Sequence, residues 1–203
     1  MASATSPDQP ADRYVADTVQ RSAKILVVGA FGVGKTTLIG SVSEIQPLRT
    51  EEAMTTASVG VDDLAGLNAK RETTVAMDFG RITVSQELVL YLFGTPGQRR
   101  FWDLWEGLAE GAVGALVLID TRRLEQSFEV LDQLETHTAG LPFAVAVNRF
   151  PDSPSHETAE LSDALDLPAR TPVVECDARG RAESIKALVA LVGHAISTQK
   201  VPS

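Results

Sequence analysis

The chain has 203 residues, of which 44% are hydrophobic and 22% are charged, a composition typical of one globular domain with a proper core. Acidic residues outnumber basic ones by 27 to 18, which gives a formal net charge of -9 at pH 7. This charge argues against a nucleic-acid partner and against direct adsorption on an anionic membrane. No apolar run approaches membrane-spanning length and neither end carries a lipidation signal, so no direct membrane anchor is expected. The single cysteine, Cys176, excludes an internal disulfide and indicates a reducing compartment, so the protein is expected to be cytoplasmic.

Composition divides the chain into three parts. Residues 1–22 are rich in Ser, Thr, Pro, Asp and Gln and are predicted to be a mobile tail. Residues 23–198 are predicted to form a single domain, with a short tail at 199–203. One weak helical stripe is spaced along the first tail, formed by Tyr14, Val15, Thr18 and Val19.

The first strand of the domain leads directly into a phosphate-binding motif. The apolar run 25–28 predicts a central strand that is buried on both faces. Residues 29–36 read GAFGVGKT, which fits the pattern G-x-x-x-x-G-K-[ST]. Glycines let backbone N–H groups approach a polyphosphate, and the helix predicted from Thr36 to about Glu44 would point its positive end at the phosphates.

Each polar residue of this motif has its own chemistry. Lys35 would place a positive charge on the β- and γ-phosphates, and the Thr36 hydroxyl would bind Mg²⁺. The sequence therefore predicts a nucleotide-binding protein. The residues predicted to surround the phosphates here are Gly29, Phe31, Gly32, Val33, Gly34, Lys35, Thr36 and Thr37.

The rest of the chain alternates between strand and helix patterns. Residues 48–73 show no sustained period and are predicted to be a long mobile loop. Strands are then predicted at 74–84 and 88–93, and the short link through Ser85 and Gln86 makes them an antiparallel hairpin. Further strands are predicted at 115–119, 143–147 and 172–174, and helices at 101–108, 124–134, 157–165 and 185–196. This alternation predicts a doubly wound α/β domain with a mostly parallel six-stranded sheet and one antiparallel edge strand.

Four segments supply candidates for the remaining parts of a nucleotide site. A phosphate-dependent switch needs a sensor of the γ-phosphate, a residue that orients water, and contacts to the base. Ligands of doubly wound sheets bind at the carboxyl ends of the strands. The candidate segments, in chain order, are 73–79, 94–98, 148–152 and 176–179.

On these motifs, residues 23–197 resemble the Ras-like small GTPases. They look most like the bacterial conservon-type ATP/GTP-binding proteins, relatives of the gliding-motility GTPase MglA. The resemblance implies a P-loop NTPase fold and a molecular switch that binds GTP and GDP with Mg²⁺ and hydrolyses GTP slowly. It also implies a Roadblock/LC7-type regulatory protein and a sensor-kinase complex as partners, which would recruit the protein to the membrane.

The resemblance also assigns roles to individual residues. Thr74 would ligate Mg²⁺ and read the γ-phosphate, and Gly97 would donate its N–H to that phosphate. Gln98 would orient the attacking water and act in catalysis together with Lys35. The residues implied around the base are Asn148, Arg149, Asp152, Ala178 and Arg179.

The chain departs from the family pattern at two positions. Gly94 stands where the family has an aspartate that supports Mg²⁺. Asp78, on the neighbouring strand, is a candidate replacement, although a solvated edge-strand carboxylate is the alternative. Asp120 ends another strand and is a candidate metal residue or a helix cap. Pro151 replaces the base-reading aspartate, and Asp152 carries the carboxylate one position late.

Several assignments have structural alternatives. Gln98 in a polar turn is either a water-orienting residue or a solvated side chain. Arg99 and Arg100 are either a source of an arginine finger or part of a solvated face. Trp102 is either a partly buried core residue or a partner anchor. For the whole protein, the alternatives to a GTPase are a non-hydrolysing nucleotide-binding scaffold and an ATP-using phosphotransferase.

Overall fold

The computed structural model describes residues 19–46, 48–54, 73–138 and 140–199. Residues 1–18 of the predicted tail 1–22, residues 200–203 of the predicted tail 199–203 and residues 55–72 of the predicted loop lie outside these ranges. The strands are β1 Arg21–Val28, β2 Leu48–Met54, β3 Thr73–Thr83, β4 Leu88–Gly94, β5 Ala112–Ile119, β6 Phe143–Asn148 and β7 Val173–Cys176. The α-helices are α1 Lys35–Val42, α2 Leu104–Ala109, α3 Glu125–His137, α4 Thr158–Ala164 and α5 Arg181–Gln199.

The described strands form one sheet in the order β2-β3-β4-β1-β5-β6-β7. Strand β1 lies in the middle and runs parallel to both β4 and β5. Strand β3 is antiparallel to both of its neighbours, whereas the β5–β6 and β6–β7 pairs are parallel. The carboxyl ends of β1, β4, β5, β6 and β7 therefore lie at one edge of the sheet, where the predicted ligand segments begin.

The core lies on both faces of the sheet because alternate strand residues point in opposite directions. In β1, Ile25 and Val27 belong to a cluster with apolar residues of α1 and α5. Leu26 and Val28 belong to a second cluster with residues of α2, α3 and α4, including the fully buried Trp105. This packing explains why 25–28 is apolar without interruption, and the doubly wound α/β fold is confirmed.

All six predicted strands are present, and the structure adds a seventh. Residues 48–54 were predicted to belong to a mobile loop, but they form β2 and pair antiparallel with β3. The sequence LRTEEAM carries no apolar alternation, so a strand at this place gives no periodic signal. Since β2 covers it, the antiparallel strand β3 is not at the edge.

The start of β1 differs from the prediction, whereas the β3–β4 turn agrees with it. Strand β1 begins at Arg21 rather than Ile25, because its first half pairs with β4 while its side chains stay partly exposed. The turn between β3 and β4 contains Ser85, Gln86 and Glu87, the three residues that the predicted strands leave between them, and the Val84 N–H donates to the Leu88 carbonyl at 2.9 Å. Among the described helices, none has the length and apolarity needed to cross a bilayer.

Candidate nucleotide-binding site

The phosphate-binding motif forms a loop from the end of β1 to the start of α1. Three of its glycines, Gly29, Gly32 and Gly34, have positive φ angles of 151°, 77° and 107°. At Gly34, which caps α1, a Cβ atom would also lie 2.5 Å from Nδ2 of Asn148. Glycine is therefore required at this position both for the backbone conformation and for the close approach of Asn148.

Lys35 is the buried cation of the loop. Its side chain is only 9% exposed, and its Nζ donates to the carbonyls of Gly29 at 2.7 Å and Ala30 at 2.9 Å. Burial lowers the pKa of this ammonium from 10.5 to about 8, and the nearby Asp78 carboxylate partly offsets that shift by raising it. The ammonium is thus held at the loop by neutral carbonyls, ready to receive an anion.

The segment after β4 packs directly against the loop. A Cβ atom on Gly97 would lie 2.8 Å from Nζ of Lys35 and 2.8 Å from the backbone nitrogen of Phe31. Two hydrogen bonds hold this segment in place. The Thr95 N–H donates to the Val27 carbonyl at 3.0 Å, and Trp105 Nε1 donates to the Pro96 carbonyl at 3.3 Å. Gly97 therefore lies beside the ammonium, as the prediction of a phosphate-contacting N–H requires.

These elements enclose an open cavity of about 390 Å³. Two of the residues that line the cavity are joined by a hydrogen bond, which the Thr36 hydroxyl donates to Oδ2 of Asp78 at 2.5 Å. The cavity therefore combines a cation, a hydroxyl and a carboxylate with the amino end of a helix. Its lining residues are Phe31, Gly32, Gly34, Lys35, Thr36, Thr37, Asp78, Thr95, Pro96 and Gly97.

Asp78 on β3 lies opposite Gly94, the position on β4 where the resemblance predicts an aspartate. The two residues are directly paired across β3 and β4. A Cβ atom on Gly94 would lie 3.1 Å from Cβ and 3.4 Å from Oδ2 of Asp78. A carboxylate can therefore reach this point from either strand, and in this chain it comes from β3. Of the two sequence interpretations of Asp78, the geometry favours the residue at the site over the solvated carboxylate.

The predicted base-binding segments meet beside the loop through Asn148. Its side chain is 4% exposed, its Nδ2 donates to the Val33 carbonyl at 2.8 Å, and its Oδ1 accepts from the Ala178 N–H at 2.9 Å. Asn148 thus joins the end of β6, the phosphate loop and the segment after β7. The Ala178 N–H, which would favour a 6-oxo group on a base, already has an acceptor in this arrangement.

The two arginines of the base segments form ion pairs within the protein. Arg149 forms an ion pair with Glu175. Arg179 pairs with Asp177 at 2.7 Å, and this guanidinium lowers the pKa of the Asp177 carboxyl to about 2. Asp152 is exposed on the 150–154 loop.

That loop is held against the segment after β5. The guanidinium carbon of Arg122 lies 3.7 Å from the ring centroid of Phe150. The Thr121 hydroxyl donates to the Pro154 carbonyl at 3.2 Å. These contacts fix both ends of the segment that carries Pro151 and Asp152, so a shift of the Asp152 carboxylate by one position would require a different backbone path.

Of the two roles considered for Asp120, a metal residue or a helix cap, the structure supports the cap. Its carboxylate accepts from the Arg122 N–H at 3.0 Å and from the Arg122 guanidinium at 2.8 and 2.9 Å, and these hydrogen bonds lower its pKa. It caps the short 3-10 turn Thr121–Arg123. Trp102 is half-buried and packs on Trp105 with ring centroids 6.2 Å apart, as the core interpretation predicted.

Two other predicted residues, Gln98 and Arg99, are not among the residues that line the cavity. Gln98 is exposed, and Arg99 beside it pairs with Glu129 of α3, which holds this arginine away from the phosphate loop. Thr74 lies on β3 four residues before Asp78, about 13 Å along an extended strand.

The sequence interpretation missed one cation near the loop. Nη2 of Arg123 would lie 3.8 Å from a Cβ atom on Gly32. The same Nη2 also donates to Asp120 at 3.3 Å, so the carboxylate that caps the turn aims the guanidinium at the phosphate loop. Arg123 lies four residues after the end of β5 at Ile119, and this position after a central strand was the available signal.

Comparisons with known proteins identify the family and the fold of this chain. The family described as "Conserved hypothetical ATP binding protein" matches residues 27–198. The G domain of the T. maritima FeoB iron transporter superposes with a TM-score of 0.58 at 18% identity, over 86% of this chain and 99% of that chain. The apo cytosolic domain of the same transporter gives a TM-score of 0.60 at 17% identity, over 86% of this chain and 64% of that chain.

Two curated relatives are similar in sequence. The uncharacterized protein MJ1339 of Methanocaldococcus jannaschii is 28% identical over 128 residues, which cover 62% of this chain and 69% of that protein. The human Ras-related protein Rab-40A-like is 29% identical over 153 residues, which cover 73% of this chain and 46% of that protein. This chain thus spans less than half the length of the human relative.

The fold and the phosphate loop define a nucleotide-binding protein of the P-loop NTPase class, with a G-domain-like fold. Within that class, the chain belongs to the family of conserved hypothetical ATP-binding proteins.

Proposed function

We propose that this protein is a small nucleotide-dependent switch that binds GTP or GDP with Mg²⁺ and hydrolyses GTP slowly. The observation that carries the proposal is the meeting of Lys35, Thr36, Asp78 and Gly97 around one cavity. A bound phosphate chain there would contact the loop and the segment 94–98 together. The γ-phosphate would then be the group that changes the position of this segment.

The residues present fit a Mg²⁺ ion. Thr36 and Asp78 supply two oxygen groups, and Mg²⁺ commonly takes one or two protein ligands and completes its shell with phosphate oxygens and waters. Because the Thr36 hydroxyl donates its proton to Asp78, its lone pairs remain available to a cation. The ion would neutralise charge on the phosphates, while Lys35 binds them and Gln98 orients water.

The base is proposed to be guanine, with a weak preference. Pro151 has no carboxylate and no N–H, so it cannot read the guanine edge. The Ala178 N–H is already donated to Asn148, so a 6-oxo group must share or displace that contact. The family description favours a second candidate, an ATP-binding protein, and the same features of the base segments support it.

The partners are proposed from the resemblance to conservon-type proteins. A Roadblock/LC7-type protein would bind the face that includes 94–108, and a sensor-kinase complex would bring the protein to the membrane. The rate of hydrolysis without a partner would be on the order of 10⁻⁴ s⁻¹, as for isolated small GTPases. A non-hydrolysing scaffold would bind the same nucleotides with no turnover.

A binding and turnover experiment tests the proposal. Calorimetric titration of GDP and ADP with Mg²⁺ is expected to give binding that Lys35→Ala weakens by at least about tenfold, because a charge-assisted contact contributes about 1.5–3 kcal/mol. Lys186→Ala, an exposed position on α5, is the matched control. Unchanged affinity in Lys35→Ala would refute the site. Single-turnover hydrolysis of bound GTP then separates the switch from the scaffold.

A further inference from the structure

Two consecutive arginines share one buried carboxylate beside the phosphate loop. Asp120 is only 4% exposed, and it accepts hydrogen bonds from the Arg122 guanidinium at 2.8 and 2.9 Å and from Nη2 of Arg123 at 3.3 Å. The hydrogen bonds from Arg122 hold the pKa of the Asp120 carboxyl below its usual range, so this group is ionised at neutral pH. Two guanidinium charges therefore face one carboxylate charge, and the cluster keeps a net positive charge.

The two arginines are bound to Asp120 to different extents. Arg122 contacts both carboxylate oxygens, and its guanidinium carbon lies 3.7 Å from the ring centroid of Phe150. Arg123 contacts Asp120 through one longer hydrogen bond, and its side chain is 39% exposed. Because a guanidinium carries five N–H donors, this contact leaves Arg123 with donors for a further acceptor. The surplus charge of the cluster is therefore available on Arg123.

The backbone places Arg123 at the edge of the phosphate cavity. The Arg123 N–H donates to the Asp120 carbonyl at 2.9 Å, which closes the 3-10 turn after β5. Nη2 of Arg123 lies 3.8 Å from the point that a Cβ atom on Gly32 would occupy, and Gly32 lines the cavity. Since the side chain is partly exposed, a rotamer change can bring the guanidinium to a bound phosphate without movement of the turn.

We propose that Arg123 is a second phosphate-binding cation, which contacts the phosphate chain from the Gly32 side of the loop while Lys35 contacts it from the Gly97 side. Nζ of Lys35 lies 2.8 Å from the point that a Cβ atom on Gly97 would occupy, so the two cations approach the cavity at different parts of its lining. A guanidinium offers two parallel N–H groups to two phosphate oxygens, whereas an ammonium acts as a point charge. This inference rests on the proposed nucleotide function and adds a residue that the P-loop pattern does not contain.

Asp120 allows Arg123 to move to a phosphate at low cost. When Arg123 gives up its 3.3 Å contact, the carboxylate keeps its hydrogen bonds from the backbone N–H and the guanidinium of Arg122. No buried charge is left without a partner, which is the usual penalty for breaking such a pair. Asp120 is thus a positioning residue that holds Arg123 next to the loop.

Calorimetric titration of GDP and of ADP into the full chain with Mg²⁺ tests this proposal. Arg123→Ala should weaken both nucleotides by about tenfold, because it removes a charge-assisted contact to phosphates that the two share. The GDP:ADP affinity ratio should therefore stay unchanged. Lys186→Ala, which removes an exposed cation of α5, is the matched control and should bind both nucleotides as the wild type does.

A second variant separates loss of charge from loss of structure. Arg123→Gln can still donate to Asp120 but has no charge, so it should show the same loss of affinity as Arg123→Ala. The unfolding temperature of the nucleotide-free protein should be unchanged in both variants. If Arg123→Ala lowers that temperature, the affinity of Arg123→Gln decides the outcome.

Lys35→Ala in the same titrations distinguishes this proposal from the proposed function. Unchanged nucleotide affinity in the Arg123 variants, together with a loss in Lys35→Ala, would overturn the role of Arg123 and leave the nucleotide site in place. A loss for only one of the two nucleotides would assign Arg123 to the base and would also overturn the proposal. Binding that neither Lys35→Ala nor the Arg123 variants weaken, or no binding by the wild type, would overturn both.

Discussion

The carboxylate of Asp78 provides the sharpest test of the site, because its removal should have opposite effects with and without Mg²⁺. Asp78→Asn keeps the shape of the side chain and removes the charge that accepts the Thr36 hydroxyl at 2.5 Å. Without Mg²⁺, the carboxylate lies in the same cavity as the phosphates and repels them, so the variant should bind GDP as well as the wild type or more tightly. With Mg²⁺, the variant should bind GDP less tightly.

The magnitude of the loss follows from the contact. A carboxylate that orients a metal-ligating group contributes about 10- to 100-fold to metal affinity. A hydrogen bond to a charged group contributes about 1.5–3 kcal/mol, which is in the same range. The Mg²⁺ concentration that half-saturates the GDP complex should therefore rise by about 10- to 100-fold. Titration of Mg²⁺ into the GDP complex, followed by calorimetry or by a fluorescent GDP analogue, measures this value.

A strand-to-strand transfer of the carboxylate completes the test. In Asp78→Gly/Gly94→Asp the aspartate returns to β4, and the glycine at 78 removes the Cβ that would lie 3.1 Å from the new one. The remaining close neighbour is the flexible Cδ1 end of Ile39. The double variant should recover Mg²⁺ dependence that Asp78→Gly alone loses, whereas Asp132→Asn, an exposed position on α3, should behave as wild type. An unchanged Mg²⁺ requirement in Asp78→Asn would refute the reasoning.

Three further predictions concern catalysis, pH and the base. Gln98→Leu should slow single-turnover GTP hydrolysis without weakening GDP binding, because its contact matters in the transition state only; equal rates would remove Gln98 from the mechanism. Because the pKa of Lys35 is about 8, GDP affinity should fall by about tenfold from pH 7 to pH 9. The free energy of unfolding of the nucleotide-free protein should rise as the pH increases above 8, because the unfolded state then binds more protons than the folded state. Lys35→Arg should flatten the pH dependence of both the GDP affinity and the free energy of unfolding. The GDP:ADP affinity ratio should be on the order of 10 to 10³, and Pro151→Asp should widen it; a stronger preference that collapses in Asp152→Ala would show that Asp152 reads the base.

The central part of the fold could be predicted from the sequence because its signals are local. The apolar run before GAFGVGKT and the alternating strands and helices that follow each indicate a buried parallel strand or an amphipathic helix. Strand β2 had no such signal, because Arg49, Thr50, Glu51 and Glu52 show no apolar alternation, although they pair with β3 at the edge of the sheet. Edge strands of this composition are held by their neighbour and are invisible to periodicity.

The position of Asp78 depended on the register of one hairpin. A two-residue turn at Ser85 and Gln86 would have paired Asp78 with Phe93, whereas the observed three-residue turn pairs it with Gly94. A shift of one residue decides which residue of β4 lies opposite the carboxylate. The predicted strands 74–84 and 88–93 leave the same three residues between them, so the sequence gives this pairing only when both strand ends are exact.

The phosphate side and the base side of the site differ in how many of their polar groups already have partners within the protein. On the phosphate side, Lys35 is bonded only to neutral carbonyls, and Thr36, Asp78 and Gly97 face the same cavity. On the base side, the Ala178 N–H and the Arg149 and Arg179 guanidinium groups already have partners inside the protein. A phosphate therefore gains new charge-assisted contacts, whereas a base must compete with contacts that exist. Affinity should thus depend more on the number of phosphates than on the identity of the base, and a protein that reads phosphate number in this way has the property that a nucleotide switch requires.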